Sequence, residues 1–444
     1  MGNFLQPSRK ITYSETNADV LGEGSNGTKV YRGKWENQTV AVKRIVCEQT
    51  DMENIQKEIN ILIKCDSHKN VVRYFDKEVQ GDFIVLALEL CEFTLEKWVE
   101  IKGASEDLPK ISRIKILEGA TEGINYLHSQ SPIIIHRDIK PQNILLRVDK
   151  TIDEITVKIS DFGICKILPE GRSCQTITGG SAAGTDGWMA PEILRFLKET
   201  GAEPSQSEIQ EKFVMTKSTD IFSLGCVFYY VLTWGNHPYG VPLLRNGNIL
   251  VNKSIFDKLD IEHKGFTWLL KAMTSKDIEK RPPSSEILKH HIFWSKEENI
   301  NFLEDISNSS ETHSVRLENC ITSLEARDKL FQDESGSWWM QLCPDLRTHL
   351  TKKFGPKAQE NKSTVMKLIR LIRNMHNHIL GKDVSSELKM SMGVSKSDMY
   401  DYWITRFPYI VTVTWIAFQP LKKHANYALG KYYSDFNFEF GSFK

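Results

Sequence analysis

The chain has 444 residues, more than one ordinary core accommodates and enough for two or three domains. Its 57 Lys and Arg are balanced by 57 Asp and Glu, so it is no polycation, and any nucleic-acid contact must come from a local patch. Hydrophobic content of 40% and charged content of 26% are globular values and exclude a disordered chain. No apolar run of about 18 residues occurs, so nothing reads as a membrane span. The eight cysteines (47, 65, 91, 165, 174, 226, 320 and 343) are scattered, with no C-x-x-C pair. That pattern points to reduced thiols in a cytosolic setting, neither a disulfide frame nor a zinc site. The start, Met1-Gly2-Asn3-Phe4-Leu5-Gln6, has the glycine for myristoylation but Gln6 where Ser or Thr is expected.

"LGEGSNGTKVYRG" (21–33) lies between strand-like runs, and Gly22, Gly24 and Gly27 follow a G-x-G-x-x-G pattern. Such glycines let a backbone hairpin close over phosphates without side chains in the way. A dinucleotide fold shares the pattern but continues into a helix, whereas "KVYRGKW" and "TVAVKRI" read as β-strands. "VAVK" (40–43) puts Lys43 on the second of these, where it can reach the α- and β-phosphates of ATP. The helical stretch "MENIQKEINILIKC" (52–65) offers Glu58 as its ion-pair partner.

Three later stretches make a coherent set. "IIIHRDIKPQN" (133–143) supplies Asp138 as a base and Asn143 as a magnesium ligand. "KISDFG" (158–163) places Asp161, a second metal-binding carboxylate, at a strand end. "GTDGWMAPE" (184–192) closes an activation segment. The order and spacing are those of the protein-kinase signature. Phosphoryl transfer needs the parts together: magnesium offsets developing charge, the lysine places the phosphates, and an aspartate takes the hydroxyl proton.

Residues 11 to 296 thus resemble the eukaryotic protein-kinase family. The resemblance implies that Lys140 marks a serine/threonine type and that Asp220 and Gly225 lie on the family's stabilising helix. It also implies a Glu192–Arg281 pair. "LALELCEF" (86–93) becomes the hinge, with Leu88 as gatekeeper and Glu89 and Cys91 offering backbone hydrogen bonds to adenine. Ala41 and Val30 join the nucleotide pocket. One departure is Lys29, two positions after the third glycine, where the family has the valine that packs on adenine; Val30 follows it. No catalytic residue is missing, which favours an active kinase over a nucleotide-binding scaffold. Ser173, Thr176, Thr178, Ser181 and Thr185 are candidate phosphorylation sites, with Arg137 a natural partner for added phosphate. "FLKETGAEPSQSEIQEKF" (196–213) reads as an exposed insertion.

The kinase-like pattern ends at "HHIFW" (290–294). "INFLEDISNSSE", "SLEARDKLFQ", "TVMKLIRLIRNMHNHIL" and "DMYDYWITRFPYIVTVTWIAF" then read as amphipathic or buried helices. On a helical wheel Val365, Leu368, Ile369, Ile372, Met375 and Ile379 form one apolar arc. Arg370, Asn374 and His378 recur every four residues on the opposite side, flanked by Arg373 and Asn377. His376 falls on the apolar arc and reads as a packed histidine. From 341 to 382 nine Lys and Arg face Asp345 and Glu360, a local net of +7 that reads as a phosphate-binding footprint. Metal-independent RNA cleavage needs a base for the 2′-OH, a cation for the phosphorane and an acid for the 5′-oxygen. Histidine can be the acid and arginine the cation.

Taken together, "ALELC", "HRDIKPQNIL", "SDFGICK", "DIFSLGCVFYY", "GSWW", "LIRLIRN…H" and "RFP" resemble the inositol-requiring endoplasmic-reticulum stress-sensor kinase/endoribonucleases, in a fungal-like form and over nearly the whole chain. Ribonuclease L shares the architecture more distantly. The resemblance implies an α+β chain: a bilobal kinase fold (11–296, lobes 11–90 and 91–296) after a short tail (1–10), then an all-α endoribonuclease domain (297–440). It implies His378 as general acid, Arg373 on the scissile phosphate and Asn374 orienting the site. It implies ATP or ADP with Mg2+ for the kinase and a metal-free nuclease. The implied partners are an mRNA stem-loop rather than DNA, and a second copy in a back-to-back homodimer or higher oligomer. The expected location is the cytosolic face of the endoplasmic reticulum, with the membrane reached only through a segment missing from this chain. The family carries a tyrosine upstream of the arginine, but no tyrosine occurs between 303 and 399 here. The base is therefore open, with Lys352, Lys353, Lys357 or an unmatched residue as candidates. The rival reading is a serine/threonine kinase with a non-catalytic helical regulatory domain.

Overall fold

The structure is a computed structural model that describes residues 10–24, 27–46, 52–101, 111–149, 151–152, 154–172, 174–176, 184–200, 214–308, 338–355, 364–419, 427–433 and 438. Packing divides the chain into two compact units, Met1–Ile255 with Met273–Ser284, and Phe256–Ala272 with Ser285–Lys444.

The first unit opens with an antiparallel sheet of β1 (Ile11–Tyr13), β2 (Val20–Glu23), β3 (Lys29–Trp35), β4 (Gln38–Val46), β5 (Tyr74–Gln80) and β6 (Phe83–Leu88). The spatial order is β1-β3-β4-β6-β5, and β2 also pairs with β3. Alternation puts Val40, Val42, Val85 and Ala87 on one buried face with Ile11. Where β1 crosses β3 a Cβ on Gly33 would stand 2.6 Å from the Thr12 carbonyl oxygen, so only glycine fits. Helix α1 (Met52–Cys65) buries Ile55, Ile59 and Leu62 at helical spacing, and Glu58 lies buried among them.

Below the sheet lie α2 (Leu95–Glu100), α3 (Arg113–Ser129), α4 (Pro191–Thr200), α5 (Lys217–Leu232) and α6 (Arg245–Leu250). Ser112 caps α3 by accepting from the Lys115 amide at 3.2 Å. A side chain at Gly123 would meet Ile159 Cγ1 at 2.6 Å, so this glycine lets α3 approach the strand Glu154–Ile159 closely. Helix α5 is buried along nearly its whole length, which explains why its sequence is apolar all round. The expected insertion at 196–213 is corrected in part: Phe196–Thr200 finish α4, and Phe196 is fully buried. Residues 201–213 lie outside the described residues, as does "SLEARDKLFQ".

The second unit has no strand among its described residues. Its main helices are α7 (Lys296–Asn308), α8 (Pro344–Phe354), α9 (Val365–His378), α10 (Ser386–Met392), α11 (Lys396–Arg406) and α12 (Ile410–Phe418). Trp338, Trp403 and Trp415 fill its core. The helical stretch 398–418 forms two helices, α11 and α12, with Pro408 between them. Residues 256–272 join this unit through close contacts: Thr412 Oγ1 donates to the Gly265 carbonyl at 3.3 Å, and Trp268 meets Tyr409 edge-on. No helix among the described residues is long and apolar enough to cross a membrane. Six of the cysteines are described, and all six are free thiols.

Candidate functional site

In the first unit the sheet register brings the pocket residues to one face. Val30 stands opposite Lys43, whereas Lys29 stands opposite Arg44, so Val30 and not Lys29 shares Lys43's side of the sheet. Lys29 pairs with Glu23 at 2.9 Å instead. Ala41 lies two residues before Lys43 and opposite Leu88, which puts both on that same face. The glycine hairpin closes by a 2.8 Å bond from the Gly24 amide to the Thr28 carbonyl, and Gly27 takes φ 73°, where glycine is favoured. Gly22 has open space at its missing side chain.

Lys43 Nζ lies 2.6 Å from Glu58 Oε1 and 3.0 Å from Asp161 Oδ1. Burial opposes the ammonium charge, but Glu58 and Asp161 outweigh it and hold Lys43 above its ordinary value. Lys43 in turn holds the Asp161 carboxyl down at about 2. Asn143 Nδ2 donates to Asp138 Oδ2 at 2.8 Å and to the Asp138 backbone carbonyl at 2.9 Å, which leaves the side-chain Oδ1 of Asn143 for a cation. Lys140 Nζ lies 2.7 Å from Asp138 Oδ2. Thr185 Oγ1 donates to Asp138 Oδ1 at 2.6 Å and accepts from Lys140 Nζ at 2.6 Å. The sequence marked Thr185 only as a modification candidate; its contact with Asp138 spans 47 residues and has no local signal. Ser173, Thr178 and Ser181 lie outside the described residues.

Buried Asp220 fixes the catalytic loop by accepting from the amides of His136 and Arg137, each at 2.8 Å. Phe162 packs edge-on against His136. The Glu89 amide donates to the Arg73 carbonyl at 2.9 Å, and its carboxylate pairs with Lys158 at 2.9 Å. Its carbonyl, and the Cys91 amide, which has no acceptor among the described residues, remain for an adenine edge. Glu192 and Arg281 form the expected pair, bidentate at 2.7 Å and fully buried at the guanidinium. These residues fit ATP and magnesium: Lys43 holds the Asp161 carboxyl well below the usual range, Asn143 has a free side-chain acceptor, and Lys43 shares the face of the sheet that carries Val30 and Ala41.

The second unit carries the other candidate surface. Helix α9 is capped by Thr364, which accepts from the Lys367 amide at 3.4 Å, and it buries the predicted apolar arc together with Met366. Asn374 and His378 are exposed, and Arg373 is half-buried. Arg373 donates from Nε (3.2 Å) and Nη2 (2.9 Å) to Asn374 Oδ1, and from Nη1 (2.9 Å) to Asn308 Oδ1. His376, read as a packed histidine, is partly buried, and its Nδ1 pairs with Glu304, a carboxylate that also faces Lys396 at 3.6 Å. Glu304 and Asn308 come from α7, more than sixty residues upstream, so nothing in the local pattern announces them. Of the candidate bases, Lys352 and Lys353 are exposed and Lys353 faces Asp383 at 3.4 Å. Lys357 lies outside the described residues.

A glycine hairpin, a lysine paired with Glu58 and Asp161, and a loop in which Asn143 grips Asp138 define a phosphotransferase. The chain belongs to the protein kinase family: the protein kinase domain matches residues 16–293. Behind it, residues 299–433 match the family described as Ribonuclease 2-5A. The chain is 35% identical over 401 residues to the human serine/threonine-protein kinase/endoribonuclease IRE2, covering 89% of this chain and 40% of that protein. It is 32% identical over 437 residues to the Caenorhabditis elegans serine/threonine-protein kinase/endoribonuclease ire-1, covering 97% of this chain and 42% of the relative. A Schizosaccharomyces pombe protein named sensor for unfolded proteins in the ER ire1 is 32% identical over 405 residues, 88% of this chain and 37% of its own. The chain thus spans about two fifths of the length of these relatives.

Proposed function

We propose that this chain is a bifunctional enzyme of the unfolded-protein response. It phosphorylates a second copy of itself on Ser or Thr, and its helical unit cuts RNA without metal. Its kinase domain occupies 11–296, with lobes at 11–90 and 91–296, and its nuclease 297–440. It works at the cytosolic face of the endoplasmic reticulum as a back-to-back dimer or higher oligomer.

In the kinase, ATP and magnesium would be held by Lys43, Asn143, Asp161, the glycine hairpin and the hinge; when bound, they supply the phosphoryl group and offset its charge. Asp138 accepts the proton of the acceptor hydroxyl. Lys140, 2.7 Å away, steadies the aspartate's charge. Glu58 fixes Lys43 in reach of the phosphates.

In the nuclease, the 2′-hydroxyl gives up its proton to a base, for which Lys352 and Lys353 are the described candidates, its oxygen attacks the adjacent phosphorus, and the bond to the 5′-oxygen breaks, leaving a 2′,3′-cyclic phosphate. His378 gives the leaving 5′-oxygen its proton. Arg373 holds the phosphate oxygens, and Asn374 orients Arg373. The observation that carries this reading is the Arg373–Asn374 contact one helical turn from exposed His378. The test is a separation of the activities with a stem-loop RNA and radiolabelled ATP. Asp138→Ala should abolish autophosphorylation with the nuclease fold intact, and His378→Ala should abolish cleavage while phosphorylation persists. Cleavage unaffected by His378→Ala contradicts the nuclease half.

A further inference from the structure

The guanidinium of Arg373 is held from two sides by residues on different helices. Asn374 Oδ1 takes Nε and Nη2, and Asn308 Oδ1, on the last residue of α7, takes Nη1 at 2.9 Å. A guanidinium has five N–H donors in a fixed plane. Three are occupied here, and one remains on each terminal nitrogen. A two-point contact to phosphate oxygens needs donors of this kind, and it needs their plane fixed beforehand. Asn374 alone is a neighbour on the same helix, so it moves with Arg373 and cannot fix the side chain against the rest of the domain. Asn308 is anchored independently. Its helix buries Ile300, Phe302, Leu303 and Ile306, and one turn earlier Glu304 grips His376 of α9. Two polar contacts at i and i+4 of α7 therefore set the rotation and height of α9's polar face.

We propose that Asn308 is a positioning residue of the nuclease, acting through Arg373 to pre-orient the fork that receives the scissile phosphate. This rests on the assignment of Arg373 to the nuclease site. Because the guanidinium keeps its charge without Asn308, attraction to the RNA backbone persists and the loss falls on alignment at the transition state. The full chain is assayed in EDTA on a stem-loop RNA, with autophosphorylation and thermal midpoint measured alongside. Asn308→Ala is expected to lower kcat about tenfold with KM changed less than about twofold, the size of a lost bond to a charged donor. Asn308→Asp keeps an acceptor oxygen and is expected to stay within about threefold of native. In an Arg373→Ala background, Asn308→Ala should add nothing. If Arg373→Ala abolishes cleavage while Asn308→Ala does not alter it, or if the two losses multiply, the inference is overturned and the nuclease assignment stands. If the native chain does not cut, or if Arg373→Ala cuts at the native rate, both are overturned.

Discussion

Arg281 shows what one residue contributes to the kinase unit. Its guanidinium is fully buried against Glu192, and it also donates to the Ser218 carbonyl at 2.9 Å. Removing one partner leaves a buried charge without compensation. Arg281→Met is therefore expected to cost about 3–5 kcal/mol, read from the urea midpoint at constant m-value. Glu192→Gln together with Arg281→Met should recover part of that loss. Lys43 gives a second prediction. Its charge keeps the Asp161 carboxyl at about 2. The folded value is depressed, so the pair's contribution to stability is present above the unfolded value of about 4 and is lost as pH falls towards 2. In Lys43→Met, a pH titration of Asp161 by NMR should move up towards the ordinary carboxylate range. An unmoved titration contradicts the pairing.

At the scale of elements, His290 and His291 couple the helical unit to pH. They stack on each other and against Trp415, and burial holds His291 down at about 3. An unfolded histidine binds its proton near pH 6.5, so the unfolded state takes up protons first as pH falls. The helical unit is expected to lose stability progressively from pH 6.5 towards 3 and to be flat above that window. His291→Phe, an aromatic that suits the ring cluster, should flatten the slope in a pH series of thermal midpoints. An unchanged slope contradicts this account. These same elements show what the sequence made legible. Helix α1 was readable to the residue and α9 to within two residues at its end because their apolar spacing is regular, and the catalytic loop because its motif is contiguous. The end of α4 was misread as insertion because the stretch is polar beyond Phe196 and Leu197, and only Phe196 of the two is buried. For His376 the wheel shows the buried side but not the Glu304 that meets it. Val30 was resolved by strand register, since spacing from the glycines alone pointed to Lys29.

At the scale of the molecule, a protein kinase domain stands directly before a ribonuclease 2-5A domain. If each nuclease site is completed by a second copy, cleavage rate per chain should rise steeply with protein concentration and then level off. Rates in strict proportion to concentration across the whole range contradict assembly. Contacts made across long stretches of chain were illegible beforehand. Thr185 on Asp138 and Asn308 on Arg373 each join segments that no periodicity links.

The most direct test of the central claim is the chemistry of the cut end. Native chain incubated with stem-loop RNA in excess EDTA should yield fragments ending in a 2′,3′-cyclic phosphate, and His378→Ala should slow their appearance at least about 100-fold. Cleavage that requires added magnesium, fragments ending in a 3′-hydroxyl, or an undiminished rate in His378→Ala would contradict it.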